Sequence, residues 1–245
     1  MSDSGDSSGG VGSPSEMHYG GSIQQTLAGN AELEVMAVIR EAWARTEGIK
    51  GIMVAGMLLV YAAVLLVTVV LGSIFGFEEQ TVLASTISQL VVMMIVYPFM
   101  AGVFMVGLRH AVGLPVNFRD QFDYYACLLP IVAVGLLQSV VTSLGFLLLI
   151  VPGIYLSIAL CLAVPLKAER DLPITECLLT SLRLVNRKFF EVAILSIVAV
   201  ALMVLGIVSL IGWIWTLPWT LMIFAILYRQ LAGHQPGKVS GGVVF

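Results

Sequence analysis

Side chains able to do chemistry are sparse in this chain and do not cluster. His18, His110 and His234 stand singly, with no HExxH or paired-histidine spacing, so no metal-binding set is expected. Cys127, Cys161 and Cys177 are odd in number and form no CxxC pair, which argues against a disulfide framework or a thiolate metal centre. They read as small apolar packing residues. No Asp or Glu interrupts the long apolar runs, so the carboxylates of proton relays and ion-coupled pumps are missing. The expectation is a non-enzymatic protein with no catalytic residue, cofactor or metal.

Two sets of residues remain as candidates. One lies within the apolar runs: Gln89 and Gln138, with Ser88, Ser139 and Thr142 nearby, and the dipeptide Pro152–Gly153. Uncharged polar groups in a membrane join helices, at about 1 kcal/mol each, or line a cavity. Gly72 and Gly76 make a GxxxG, and Gly135 with Ser139 its small-residue equivalent, both marks of close helix packing. The other set is Arg183, Arg187 and Lys188, whose charges would each contribute about 1 kcal/mol beside anionic headgroups.

Membrane helices must position both sets. The chain has 245 residues, 59% hydrophobic and 11% charged, with a mean hydropathy of +1.00. Soluble domains carry about a quarter charged residues, so an integral membrane protein is expected. The net charge of −3 gives no basic field for nucleic acid. Apolar runs cover 51–75, 82–108, 126–166, 192–211 and 213–228. The third is about twice one crossing, so it divides into two helices. A turn at Pro152–Gly153 would leave only 154–166 before Lys167, about 20 Å of helix against a hydrocarbon core of about 30 Å. A turn at Thr142–Gly145 divides the run evenly. Pro152–Gly153 then becomes a kink within the fourth span, facing the bundle interior, with a partly re-entrant segment as the alternative.

The expected fold is all-α: six spans in three hairpins. With that count all 12 Lys and Arg fall on one side, which places both termini and both large loops in the cytoplasm. Trp213, Trp215 and Trp219 would mark the outer interface, and Tyr124, Tyr125 and Tyr228 the inner one. Each hairpin is preceded by an amphipathic segment, expected to lie as a surface helix in the headgroup plane. Asn117 and Thr175 are the expected caps of the second and third of these. Residues 1–30 and 233–245, rich in Gly and Ser or short of apolar periodicity, read as disordered tails flanking a membrane domain over 31–232.

Residues 147–195 carry Pro152-Gly153-Ile154-Tyr155, then Glu169 just past the apolar run, then Ser181-Leu182-Arg183-Leu184 and Arg187-Lys188-Phe189-Phe190. In this pattern the chain resembles a loose group of uncharacterised bacterial multi-span proteins, including the membrane domain attached to some glycerophosphodiester phosphodiesterases. The resemblance implies an inner-membrane protein with six spans and transfers no activity or catalytic residue. It departs from the group's pattern at "RDLP" after Glu169 and at Leu182, where the group has an aromatic.

Two functions follow as expectations. The first is a non-catalytic protein that organises the bilayer, anionic lipid headgroups or another membrane protein through its cytoplasmic face, with Arg183, Arg187 and Lys188 as the contact. The alternative is a transporter or exporter of a small apolar or lipid-like solute, using Gln89 and Gln138 beside the break at Pro152 and Gly153.

Overall fold

The structure is a computed structural model, described here over residues 20–76, 81–170, 172–209 and 212–234. Among these residues there are helices and no β-strand. They are α1 (Ile23–Leu27), α2 (Val35–Thr46), α3 (Lys50–Phe75), α4 (Val82–Ala111), a 3-10 helix (Phe118–Cys127), α5 (Leu128–Leu148), α6 (Ile150–Ala159), α7 (Ala163–Glu169), α8 (Ile174–Arg187), α9 (Phe189–Val208) and α10 (Trp213–Leu231). Among the described residues, five segments are long and apolar enough to cross a membrane: Lys50–Phe75, Val82–Ala111, Phe118–Leu148, Ile150–Glu169 and Phe189–Val208. The segment expected to be the sixth, α10, falls outside this set. Its Trp, Thr and Pro residues dilute its apolarity, and its second half, Met222–Tyr228, is largely buried by protein rather than lipid.

Helices α3 and α4 form the long hairpin. The hydroxyl of Thr81 caps α4 by accepting the Ala84 amide at 3.2 Å. The two halves of α4 differ sharply. Val82 and Leu83 are 84% and 70% exposed, as suits lipid, whereas Ala101–Leu108 is buried on every side. The first part of α4 therefore reads as a membrane helix and the last part as the axis of a protein-sheathed core. The sheath comes from α3, α5, α7, α10 and the 3-10 helix.

The division of the 126–166 run differs from the sequence reading. Helix α5 continues unbroken through Thr142–Gly145 and ends at Leu148. The turn is the single extended residue Leu149 (φ −166°, ψ 155°). Pro152 stands in the first turn of α6, where its missing N–H costs nothing because first-turn amides have no helical partner. Gly153 is the close-packing point. A Cβ on Gly145 would come within 3.1 Å of the Gly153 Cα and 2.7 Å of a Leu156 methyl. Pro152–Gly153 is thus the foot of a hairpin and not a kink within a span. The length argument failed because α6 starts before the proline and α7 runs on past Lys167 to Glu169, both buried.

The real break in this segment lies lower, at Leu160–Leu162 between α6 and α7. Pro165, in the first turn of α7, has no N–H to give the Cys161 carbonyl, so the helix cannot run straight through. Helix α8 is not an isolated surface helix. Cys177 reaches the Leu172 carbonyl, Ser181 lies at the break and Asn186 meets Tyr155 of α6, so α8 folds back along α7 and α6. Cys177, Leu178, Ser181, Leu184 and Val185 form its buried face. Its N-cap position is Pro173 and not Thr175, whereas Asn117 does precede the 3-10 helix as expected.

The expected surface helix before the third hairpin limb is the 3-10 segment, and it is inserted rather than peripheral. Gln121 is fully buried between α3 and α4. Gly56 and Gly102 make the room, since a Cβ on either would collide with Gln121. The domain limits also shift. Residue Thr26 of α1, inside the stretch read as a tail, is buried and donates to the Leu231 carbonyl at 2.7 Å, and His234 is buried too. Residues 1–19 and 235–245, with Lys238, lie outside the described residues.

Candidate functional site

Several arginines, Arg45, Arg109, Arg170 and Arg229, gather where α2, α4, α7 and α10 meet and are engaged there. The Arg229 guanidinium donates to both Glu41 carboxylate oxygens, at 2.9 and 2.7 Å, and to the Ala111 carbonyl at 2.7 Å. It thereby closes the C-terminus of α4, whose last carbonyls have no helical donor. Arg45 donates to Glu41 at 2.8 Å and to the His110 carbonyl at 3.3 Å. His110, which stands singly in the sequence, meets the Arg45 carbonyl at 3.1 Å. Burial pushes the Glu41 carboxyl up, but hydrogen bonds and charge from Arg229 and Arg45 outweigh it and hold the group below its ordinary value.

A second buried group lies beside it. Glu169 accepts from the Tyr228 hydroxyl, pairs with His234 Nδ1 at 2.8 Å and lies 3.5 Å from Arg170 Nε. Arg170 in turn donates to the Ala232 carbonyl at 2.7 Å. This ties the end of α7 to the chain following α10. Buried carboxylates persist only when so paired. The network is structural in form: it is sealed, with Glu169, Tyr228 and His234 all nearly inaccessible.

Further along α6 the break is bridged from α8. The Ser181 hydroxyl accepts the Leu162 amide at 3.2 Å and donates to the Ala159 carbonyl at 2.8 Å. Beside the break lies a cavity of about 310 Å³. Tyr97 and Phe104 of α4, Gln138 of α5, Cys161 and Pro165 at the break, and Phe224 of α10 are among its walls. The Tyr97 hydroxyl is satisfied by Ser139 at 2.7 Å and Gly135 at 3.1 Å, which fulfils the packing role read for the Gly135–Ser139 pair. Gln138 Oε1 is buried without a hydrogen-bond partner.

The two glutamines do not share this cavity. Gln89 is exposed on the lipid-facing half of α4, and only Gln138 is among the lining residues. Pro152 and Gly153 lie at the hairpin foot, outside the lining. Arg183 and Arg187 are exposed on one face of α8, and Lys188 lies 3.7 Å from Glu191. The tryptophans also differ from expectation. Trp219 stacks edge-on against Trp43 at 4.7 Å and donates to the Ile39 carbonyl at 3.3 Å, while Lys50 Nζ lies 5.9 Å from the Trp215 ring. These contacts tie the cluster to α2 and the first residue of α3, not to the opposite end of the bundle.

Sequence reasoning missed Gln121, Ser181 and the Glu41–Arg229 pair. Only Ser181 had a signal, its place within the motif that carries the resemblance. Gln121 looked like one polar residue of an amphipathic surface helix, and Glu41 and Arg229 are 188 residues apart.

Comparison with known families, curated proteins and solved structures finds no match to this chain. Fold and site define it as an α-helical protein with several apolar helices suited to a multi-pass membrane location.

Proposed function

We propose that this protein is a non-catalytic inner-membrane component that gathers anionic lipid headgroups, or a partner protein presenting the same chemistry, at a cytoplasmic charged end. One observation carries the reading. Arg45, Arg109, Arg170 and Arg229 are engaged with carboxylates or carbonyls of the fold itself. Arg183 and Arg187 are exposed, one turn apart on α8, with no ion pair among the described residues. Cations left free on one face are available to phosphate oxygens.

Three hairpins rooted at this end agree with the reading. The two ends of the described chain meet there, with the Gly21 amide on the Arg229 carbonyl at 3.0 Å, as an even number of membrane passages requires.

The test reconstitutes the protein in nanodiscs of mixed zwitterionic and anionic lipid and measures anionic lipid retained after purification. The triple change Arg183→Gln, Arg187→Gln, Lys188→Gln should lower the retained fraction by several-fold, since each charge contributes about 1 kcal/mol. Equal retention by both proteins removes the proposal.

A second reading, passage of a small apolar or lipid-like solute, is favoured by the cavity at Gln138 alone. Counterflow of such a solute in vesicles, lost on filling the cavity, is its test.

A further inference from the structure

We infer that the cavity between α4, α5, α10 and the α6–α7 break is a binding site for a single-chain lipid alcohol, a molecule with one hydroxyl and one alkyl chain. The inference deepens the second reading above by naming the ligand, and needs only binding, not passage.

Size comes first. About 310 Å³ is the space of roughly ten water molecules at about 30 Å³ each, and stands at the small end of ligand sites. It suits a chain of modest length and excludes a two-chain lipid. The walls are the second argument. Phe104, Val164, Leu221 and Phe224 are apolar, and the Tyr97 hydroxyl is already engaged by Ser139 and Gly135. Water would find too few partners to be held there.

What the walls do offer is acceptor chemistry at one place. Gln138 Oε1 is buried and unpartnered, and such a group costs about 1–3 kcal/mol until a donor reaches it. A hydroxyl supplies one, and because it also accepts, it fits either orientation of the Gln138 amide. A charged head would have no counter-ion, since no Lys, Arg, Asp or Glu lines the cavity.

Access is lateral. A groove of about 600 Å³ runs between α6 and α9, lined by Ile154, Ile158, Val200 and Val204, and shares Cys161 and Phe224 with the cavity. An alkyl chain in the lipid reaches the cavity past these two side chains without crossing water. Broken helices are tolerated at membrane depth where they line such a space.

The test is photolabelling of the purified protein in lipid nanodiscs with a diazirine-bearing octanol. The label should concentrate on the peptide containing Cys161 and be competed by octanol. Gln138→Leu, which keeps the side-chain bulk, should weaken that competition about fivefold, the worth of one neutral hydrogen bond. Val164→Phe should abolish the site by filling it. Labelling spread over α3 and α9 in proportion to their lipid exposure, or a pattern unchanged by both substitutions, overturns the inference. Saturable labelling with no solute movement in vesicles would remove the transport reading and uphold this one.

Discussion

Arg229 and Glu41 face each other as two parallel forks, with donor–acceptor distances of 2.9 and 2.7 Å, and join the last turn of α10 to the middle of α2. The same guanidinium holds the Ala111 carbonyl. One side chain thus ties three helices, and lysine cannot copy it, because a single ammonium lacks the planar fork. Arg229→Lys should destabilise the protein by about 1 kcal/mol and Arg229→Ala by about 2–3 kcal/mol, the larger loss including the stranded carbonyl. Thermal unfolding in detergent micelles checks the order. Equal effects would show that charge alone matters.

The pair also sets an acid limit. The Glu41 carboxyl is held below its ordinary value of 4.5 by Arg229 and Arg45 against the upward push of burial. A group depressed in the folded state stabilises fully above its unfolded pKa and loses that contribution as pH falls through the folded one. Stability from this pair should therefore be flat from pH 6 to 8 and fade below about 4.5. Glu41→Gln should lower stability at neutral pH and show a shallower acid decline. A parallel decline in both proteins would place the acid sensitivity elsewhere.

Ser181 makes the broken helix affordable in a low-dielectric setting. It is fully buried and serves both sides of the break, the Leu162 amide and the Ala159 carbonyl. Ser181→Ala should cost about 2 kcal/mol, since two buried backbone groups lose a partner. Amide exchange at Leu162 should rise in this variant while that of α4 stays slow. Unchanged exchange at Leu162 would mean the break is held by packing alone.

Two glycines should respond oppositely to the same change. At Gly102 a Cβ would collide with the Gln121 backbone carbonyl, which cannot turn aside as a side-chain end can. Gly102→Ala should cost about 2–3 kcal/mol through overpacking. At Gly51 nothing lies within 4 Å of an added Cβ, and the residue is helical and exposed. Gly51→Ala should be neutral or gain up to about 1 kcal/mol from backbone entropy. Matching unfolding temperatures for the two variants would contradict the inserted position of the 3-10 helix.

The apolar runs announced the membrane helices because hydropathy over about 20 residues is a local property. What hydropathy could not announce is where protein replaces lipid. Lys167 and Glu169 looked like the end of a span because they are charged, yet partners remote in sequence, Tyr228 and His234, let Glu169 stay buried. Gln121 was unreadable for the same reason, its place being prepared by Gly56 and Gly102 on two other helices. Pro152–Gly153 misled in a different way. Proline marks both a first turn and a kink, and only the packing of Gly145 on Gly153 decides between them.

That hairpin foot makes the sharpest statement about the membrane. Leu147, Leu148, Leu149, Ile150 and Val151 are 82%, 76%, 69%, 70% and 76% exposed, with no polar side chain among them. Such a surface belongs in hydrocarbon, not at a water-facing tip. Its depth follows from Tyr155, whose hydroxyl donates to Asn186 at 2.8 Å, next to the exposed Arg187. Charged groups of α8 must reach headgroups or water, which argues against a tip that passes to the far side. The tip should therefore dip into the bilayer and stop inside it. In a tryptophan-free background that keeps the fold, Leu149→Trp fluorescence should be quenched by lipids brominated on the acyl chain. It should resist aqueous iodide added from either side. Iodide quenching from the face opposite α8, or labelling of Leu149→Cys there by an impermeant maleimide, would instead show a hairpin that passes fully across.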